Sequence, residues 1–178
     1  MEENTLQVQP LVLLASARQD SDTKRFLQTA FQGTSHQLVN LLDYRLSAYR
    51  YENDYPPGDG FLYIIKQVLE HQVIVLATPV YWYAMSGLLK TFVDRLTDLV
   101  TVQKTLGRQL QGKTVFLVAV GADDELPAGF EVPFELTSKY LNMRYGGCLY
   151  SSTQQVKNQQ FPLGNHRKFR QDLEEALR

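Results

Sequence analysis

Two loops in this chain carry residue types that could do chemistry. In Ala15 to Thr23 (ASARQDSDT), the hydroxyls of Ser16, Ser21 and Thr23 surround one guanidinium, Arg18. Small residues let a backbone turn tightly, and a guanidinium can present two parallel N–H groups to a phosphate. A helical pattern begins here, so the free N–H groups and dipole of a helix start would face the same point. The alternative is that Ser21 or Asp22 is simply the helix cap and Arg18 a solvated loop residue. The second loop lies in Thr78 to Leu96 (TPVYWYAMSGLLKTFVDRL), where Tyr81, Trp82 and Tyr83 follow the apolar run Val73–Ala77. Large rings in a loop have no core to fill, and at the end of a buried strand they suit a flat ligand.

These loops need elements to position them. The run Val73–Ala77 is too short for a helix and reads as a strand buried on both faces. Ser86 opens a helix with apolar residues at Leu88, Leu89, Phe92, Val93 and Leu96. Upstream, Val8–Leu14 reads as a first strand, Thr23–Phe31 as a first helix and His36–Leu42 as a second strand. The connection Asp43–Gly60 carries Tyr44, Tyr49, Tyr51 and Tyr55, then the breakers Pro56, Pro57 and Gly58. Phe61–Leu69 reads as the second helix, ending near His71. Downstream, Thr114–Val120 is a fourth strand, Phe134–Asn142 a helix, Gly147–Ser152 a fifth strand and His166–Leu177 a closing helix, with Gln103–Gly112 left as a polar stretch.

Alternating strands and helices imply a parallel sheet with right-handed crossovers and helices on both faces. The expected fold class is α/β: one flavodoxin-like three-layer sandwich over residues 1–178, its five-stranded parallel sheet in the order 2-1-3-4-5. In that order the switch point lies between strands one and three, so the two unusual loops frame one crevice.

Composition narrows the function further. A net charge of -1 over 178 residues gives no general electrostatic case for nucleic acid or anionic membranes. A single cysteine, Cys148, excludes an internal disulfide and a cysteine-ligated metal or iron–sulfur site within one chain. With neither a leader pattern nor an apolar run near ~20 residues, a cytoplasmic setting is expected. His36, His71 and His166 lack metal-ligand spacing and read as surface or strand-end residues, and Cys148 as a small buried hydrophobe. The acidic run Asp123–Glu125 reads as a solvated loop.

With both loops in view, the chain resembles the NAD(P)H-dependent FMN reductase family of the flavodoxin superfamily. Members carry G-S-x-R-x-x-S-N-T after the first strand, standing here at Ala15–Thr23. After the third they carry S/T-P-V-Y-W-Y-x-x-S-x-x-L-K-x-x-x-D-R, matched at Thr78–Arg95. The resemblance implies that Ser16, Arg18, Ser21 and Thr23 hold the FMN phosphate. It implies that Pro79, Val80, Tyr81 and Trp82 line the isoalloxazine through their backbone, and that Gly121 begins a third loop beside the ring. The implied activity is hydride transfer from NAD(P)H, as co-substrate, to bound FMN. A small-molecule acceptor would follow: a quinone, an azo or nitro compound, or free flavin. A homodimer is implied on the same ground. The tyrosines of Asp43–Gly60 are expected to form a lid over the pocket.

Two departures stand out. Ala15 replaces the family's glycine, and Asp22 its asparagine. A carboxylate beside a phosphate is repulsive, so Asp22 is expected either to point away as a helix cap or to weaken flavin binding. Two other classes are kept open: an electron carrier of flavodoxin type, against which the low net charge argues, and a binding module that has lost its flavin.

Overall fold

The computed structural model of the protein describes residues 9–161 and 163–178. Its main sheet is built from β1 (Leu11–Leu14), β2 (Gln37–Asn40), β3 (Val73–Tyr81), β5 (Thr114–Gly121) and β6 (Arg144–Ser152), and the two-residue β4 (Ala84–Met85) pairs only with β3. The order is β2-β1-β3-β5-β6 with every pairing along it parallel, while β3 and β4 are antiparallel. With β4 set aside, this is the expected 2-1-3-4-5 order. The helices are α1 (Asp22–Ala30), α2 (Phe61–Leu69), α3 (Gly87–Arg95), α4 (Thr97–Thr101), α5 (Lys104–Arg108), α6 (Val132–Tyr140), α7 (Thr153–Asn158) and α8 (Leu163–Ala176).

Alternate residues of a strand face opposite sides, so a sheet covered on both faces needs apolar residues at every position. All four residues of β1 are fully buried. Leu11 and Leu13 join Leu117 and Ala119 in one cluster with Ile64 and Ile65 of α2, Leu89 and Phe92 of α3 and Phe134 of α6. Val12 and Leu14 join Val75 and Val118 in the other, with Phe26 of α1 and Phe169 and Leu173 of α8. Each such fully buried leucine contributes on the order of 2 kcal/mol.

Several boundaries differ from the sequence reading for identifiable reasons. Val8 falls outside the described residues, and the first strand proper is Leu11–Leu14. The second strand stops at Asn40 rather than Leu42, because the Asn40 side chain accepts from Leu42 N at 3.2 Å and turns the chain into a 3-10 turn, Leu41–Asp43. The fifth strand of the main sheet starts at Arg144, not Gly147. Gly146 and Gly147 look like breakers, but they form a bulge opposite Val115 and Phe116. A Cβ at Gly146 would lie 2.5 Å from the Phe116 ring, so only glycine lets the strand pass there. The helices α4, α5 and α7 were not anticipated; five or six residues hold too few turns to show a period.

Candidate functional site

Four buried hydrogen bonds fix the two unusual loops at the switch point, one of them running directly from the second loop to the first. Ala15 N donates to Ala77 O at 2.8 Å, continuing the β1–β3 ladder past the strand end. Ser86 Oγ donates to Ala15 O at 2.6 Å while accepting from Leu89 N at 3.1 Å, so one hydroxyl both caps α3 and ties it to the first loop. Ser86 N donates in turn to Thr78 Oγ1 at 3.0 Å. The motif residues Thr78 and Ser86 therefore act by holding backbone.

At the first loop, Ser16, Ser21 and Thr23 are all at most 3% exposed, gathered where β1 meets α1. Ser21 is the helix cap, its Oγ accepting from Lys24 N at 3.2 Å. The N–H groups of Asp22 and Thr23, in the first turn of α1, have no intrahelical acceptor and face outward from the helix start. Buried hydroxyls and free backbone N–H groups are the donor set a phosphate needs, so this end fits FMN. Arg18 is exposed, and its Nη2 donates to Asp22 Oδ2 at 3.3 Å. Asp22 is thus not the cap: its carboxylate lies between Arg18 and Arg25, the latter 3.2 Å away.

The aromatic segment is not a free loop. Tyr81 is the last residue of β3, paired with Ala84, and Val80 pairs with Met85, so Trp82 and Tyr83 are the two central residues of a tight hairpin. Both have left-handed backbone, φ +49° and +62°. That conformation is uncommon for bulky residues and costs roughly 1–2 kcal/mol each. Backbone strain held by its surroundings clusters at binding sites. Trp82 is 92% exposed, whereas Pro79 is buried. A strained hairpin that turns backbone and two rings outward beside the crevice suits the edge of a planar ligand.

Gly121 closes β5 against two partners. Thr153 Oγ1 donates to its carbonyl at 2.9 Å, and a Cβ on Gly121 would lie 2.6 Å from the Tyr150 hydroxyl. That hydroxyl donates to Asp123 O at 2.6 Å, which fixes the start of the exposed Asp123–Glu125 loop. Burial first, then Asp123 and Asp124, push the Tyr150 phenol up to about 12, so it stays a donor.

Arg95 was missed as a key residue, although it falls three positions after Phe92 on the apolar side of α3. It is 2% exposed. Its Nε donates to Asp98 Oδ2 at 2.8 Å, and its Nη1 to Asp59 Oδ2 at 3.1 Å and Ser47 O at 3.2 Å. The guanidinium also lies 3.3 Å from the centre of the Tyr55 ring. Burial pushes the Asp59 carboxyl up, but hydrogen bonds from Ser47 N, Arg95 and Phe61 N outweigh it and hold the group below the usual range. The connection expected as a lid is therefore clamped: Tyr55 packs on Arg95 and Tyr44 stacks on Tyr63. Its start does reach the first loop, where Gln19 Nε2 donates to Asp43 Oδ1 at 2.8 Å.

Among the described residues, no cluster of three or more metal-ligating side chains exists and no helix is long and apolar enough to cross a membrane. His71, two residues before β3, is fully buried, and its Nδ1 lies 2.8 Å from Gln67 O. Cys148 is a half-buried free thiol pushed well up by burial and by Glu131.

A parallel sheet with a phosphate-type cradle and an aromatic hairpin on either side of its switch point defines a flavodoxin-like protein. Comparison with known families agrees: residues 9–132 match the NADPH-dependent FMN reductase family, and the chain belongs to it. Two curated relatives from Bacillus subtilis are similar in sequence. YwqN, provisionally named an NAD(P)H-dependent FMN-containing oxidoreductase, is 30% identical over 96 residues, 52% of this chain and 53% of its own. YrkL, an uncharacterized NAD(P)H oxidoreductase, is 32% identical over 108 residues, 51% of this chain and 62% of its own. The matches thus span little more than half the length of these relatives. Among solved structures, the Trp repressor binding protein of Bacillus subtilis superposes with a TM-score of 0.68 at 22% identity, over 93% of this chain and 98% of that one. General stress protein 14 of Treponema denticola, solved in complex with FMN, gives 0.60 at 21% identity over 96% and 99%. At these identities the structures support the fold.

Proposed function

We propose that the chain, as one FMN-binding domain over residues 1–178, oxidises NAD(P)H through bound FMN and passes the electrons to a small organic acceptor. The observation that carries this is the junction of the two loops: buried hydroxyls and free helix N–H groups on one side of the switch point, a strained aromatic hairpin on the other. Ser16, Ser21, Thr23 and Arg18 would hold the phosphate. The backbone of Pro79, Val80, Tyr81 and Trp82 would hold the ring edge, with Gly121 leaving room at the third loop. When bound, FMN supplies the hydride-accepting ring system, and the protein's part is to bind, orient and leave one face open. No side chain is needed as acid or nucleophile.

Quinones, azo or nitro compounds and free flavin are the proposed acceptors, because a site open at exposed rings takes flat molecules. A homodimer is proposed as well, on the exposed apolar stripe Val132, Leu136 and Tyr140 of α6, which has no partner within the described chain. A reducing, cytoplasmic setting suits the single free thiol. NADPH and NADH oxidation with each acceptor class, with and without added FMN, tests the reading. FMN-dependent turnover, lowered at least about tenfold in FMN affinity by Arg18→Ala, supports it. No nicotinamide oxidation with any acceptor would overturn it.

A further inference from the structure

We propose that Asp22 sets the flavin affinity and phosphate selectivity of the cradle, by engaging the guanidinium that an incoming phosphate needs. The inference rests on the FMN reading above. Arg18 reaches Asp22 Oδ2 at 3.3 Å, and Arg25 reaches Asp22 Oδ1 at 3.2 Å and Asp20 Oδ2 at 2.7 Å. The two guanidiniums at the mouth of the first loop thus face two carboxylates, and the four side chains sum to zero charge. The burial is uneven. The Asp22 side chain is 14% exposed and that of Arg18 66%, so the carboxylate lies low at the helix start and Arg18 folds over it from outside.

Asp22 is the first residue of α1. An anion seated on the free N–H groups of that turn therefore comes within a few ångströms of its carboxylate, where like charges repel. The same carboxylate stabilises the empty helix start, because a negative side chain in the first turn complements the dipole. One residue thus favours the flavin-free protein and opposes the phosphate. The phosphate therefore adds less to flavin affinity than the same cradle would supply without the carboxylate, and FMN is separated from riboflavin less sharply than it then would be.

Flavin fluorescence quenching gives the Kd of FMN and of riboflavin, at low and high salt, for the unaltered protein and for Asp22→Asn. Apo melting is followed in parallel. Asp22→Asn is expected to tighten FMN about tenfold, leave riboflavin unchanged, steepen the salt dependence and lower the apo melting temperature. Asp22→Ser, also uncharged and suited to a helix start, serves if the asparagine variant does not fold. FMN binding that is intact but no tighter in either variant would overturn the role of Asp22 alone. So would equal tightening of riboflavin. Failure of every protein to bind either flavin would overturn the FMN reading itself, and this inference with it.

Discussion

Ser86 Oγ donates to the carbonyl of Ala15 at 2.6 Å across 71 positions of sequence. Through this bond the cap of α3 also fixes the first loop, so the phosphate end and the ring end of the site share one rigid support. The hydroxyl is 2% exposed as a residue and has both its donor and an acceptor role filled. A buried group used this way is costly to remove.

Ser86→Ala leaves Ala15 O and Leu89 N without their partner. Loss of a cap and a buried hydrogen bond together should destabilise by about 2–3 kcal/mol. FMN affinity should fall as well, because the loops lose their common tie. Urea unfolding of the apo protein and an FMN titration check the two effects separately.

Arg95→Met should be among the most destabilising single changes. It takes the guanidinium from the Asp59 and Asp98 carboxylates, which are 8% and 4% exposed and keep only hydrogen bonds from Ser47 N, Phe61 N and the Tyr55 hydroxyl, and it removes the cation under Tyr55. Breaking a buried ion pair by removing one partner costs about 3–5 kcal/mol. Adding Asp59→Asn and Asp98→Asn to the same protein should recover part of the loss. A cost below about 1 kcal/mol would show that the clamp on the connection matters little.

Gly121→Ala should destabilise by about 1–3 kcal/mol through overpacking against the Tyr150 hydroxyl. Tyr150→Phe in the same protein removes the nearest atom and should restore part of that stability, at the cost of the bond to Asp123 O. Thermal melts of the two single variants and the double variant decide it.

Stability should fall as pH drops below 6.5. Burial first, then Arg170, lower the pKa of His166, whose ring lies 5.4 Å from that of Phe26 and 5.3 Å from that of Phe161. The unfolded chain then binds a proton more readily than the folded one, so stability rises with pH through this range and is lost as pH falls from 6.5 through the lower folded value. Melting temperatures between pH 8 and 5 should slope downward on the acid side, and His166→Phe should flatten that slope.

Much of the fold was legible because its strands are buried on both faces and its longer helices show clear periods. The second helix begins at Phe61 as its apolar period indicates and ends at Leu69, two residues short of the expected His71. Alternation gives the parallel sheet, while its 2-1-3-4-5 order comes from the flavodoxin-like fold. The cap at Ser86 was legible too, since a serine before an apolar periodic run has one common use. What was not legible depends on contacts remote in sequence. Nothing local says that Arg95 turns inward to Asp59, 36 residues earlier. Nothing local says that Trp82 and Tyr83 accept left-handed backbone without a glycine, which turn chemistry would ordinarily demand. The Asp22 carboxylate could be flagged as a departure, but only coordinates place Arg18 and Arg25 on it.

The most direct test of the central claim is an anaerobic titration, following flavin absorbance of the FMN-loaded protein as NADPH or NADH is added. The account predicts a protein-bound flavin spectrum whose bands bleach stoichiometrically with the nicotinamide, with no second protein present. Bands that form on FMN addition but persist through excess nicotinamide would contradict the oxidoreductase reading and point to a carrier. A protein that takes up no flavin at all would contradict the site itself.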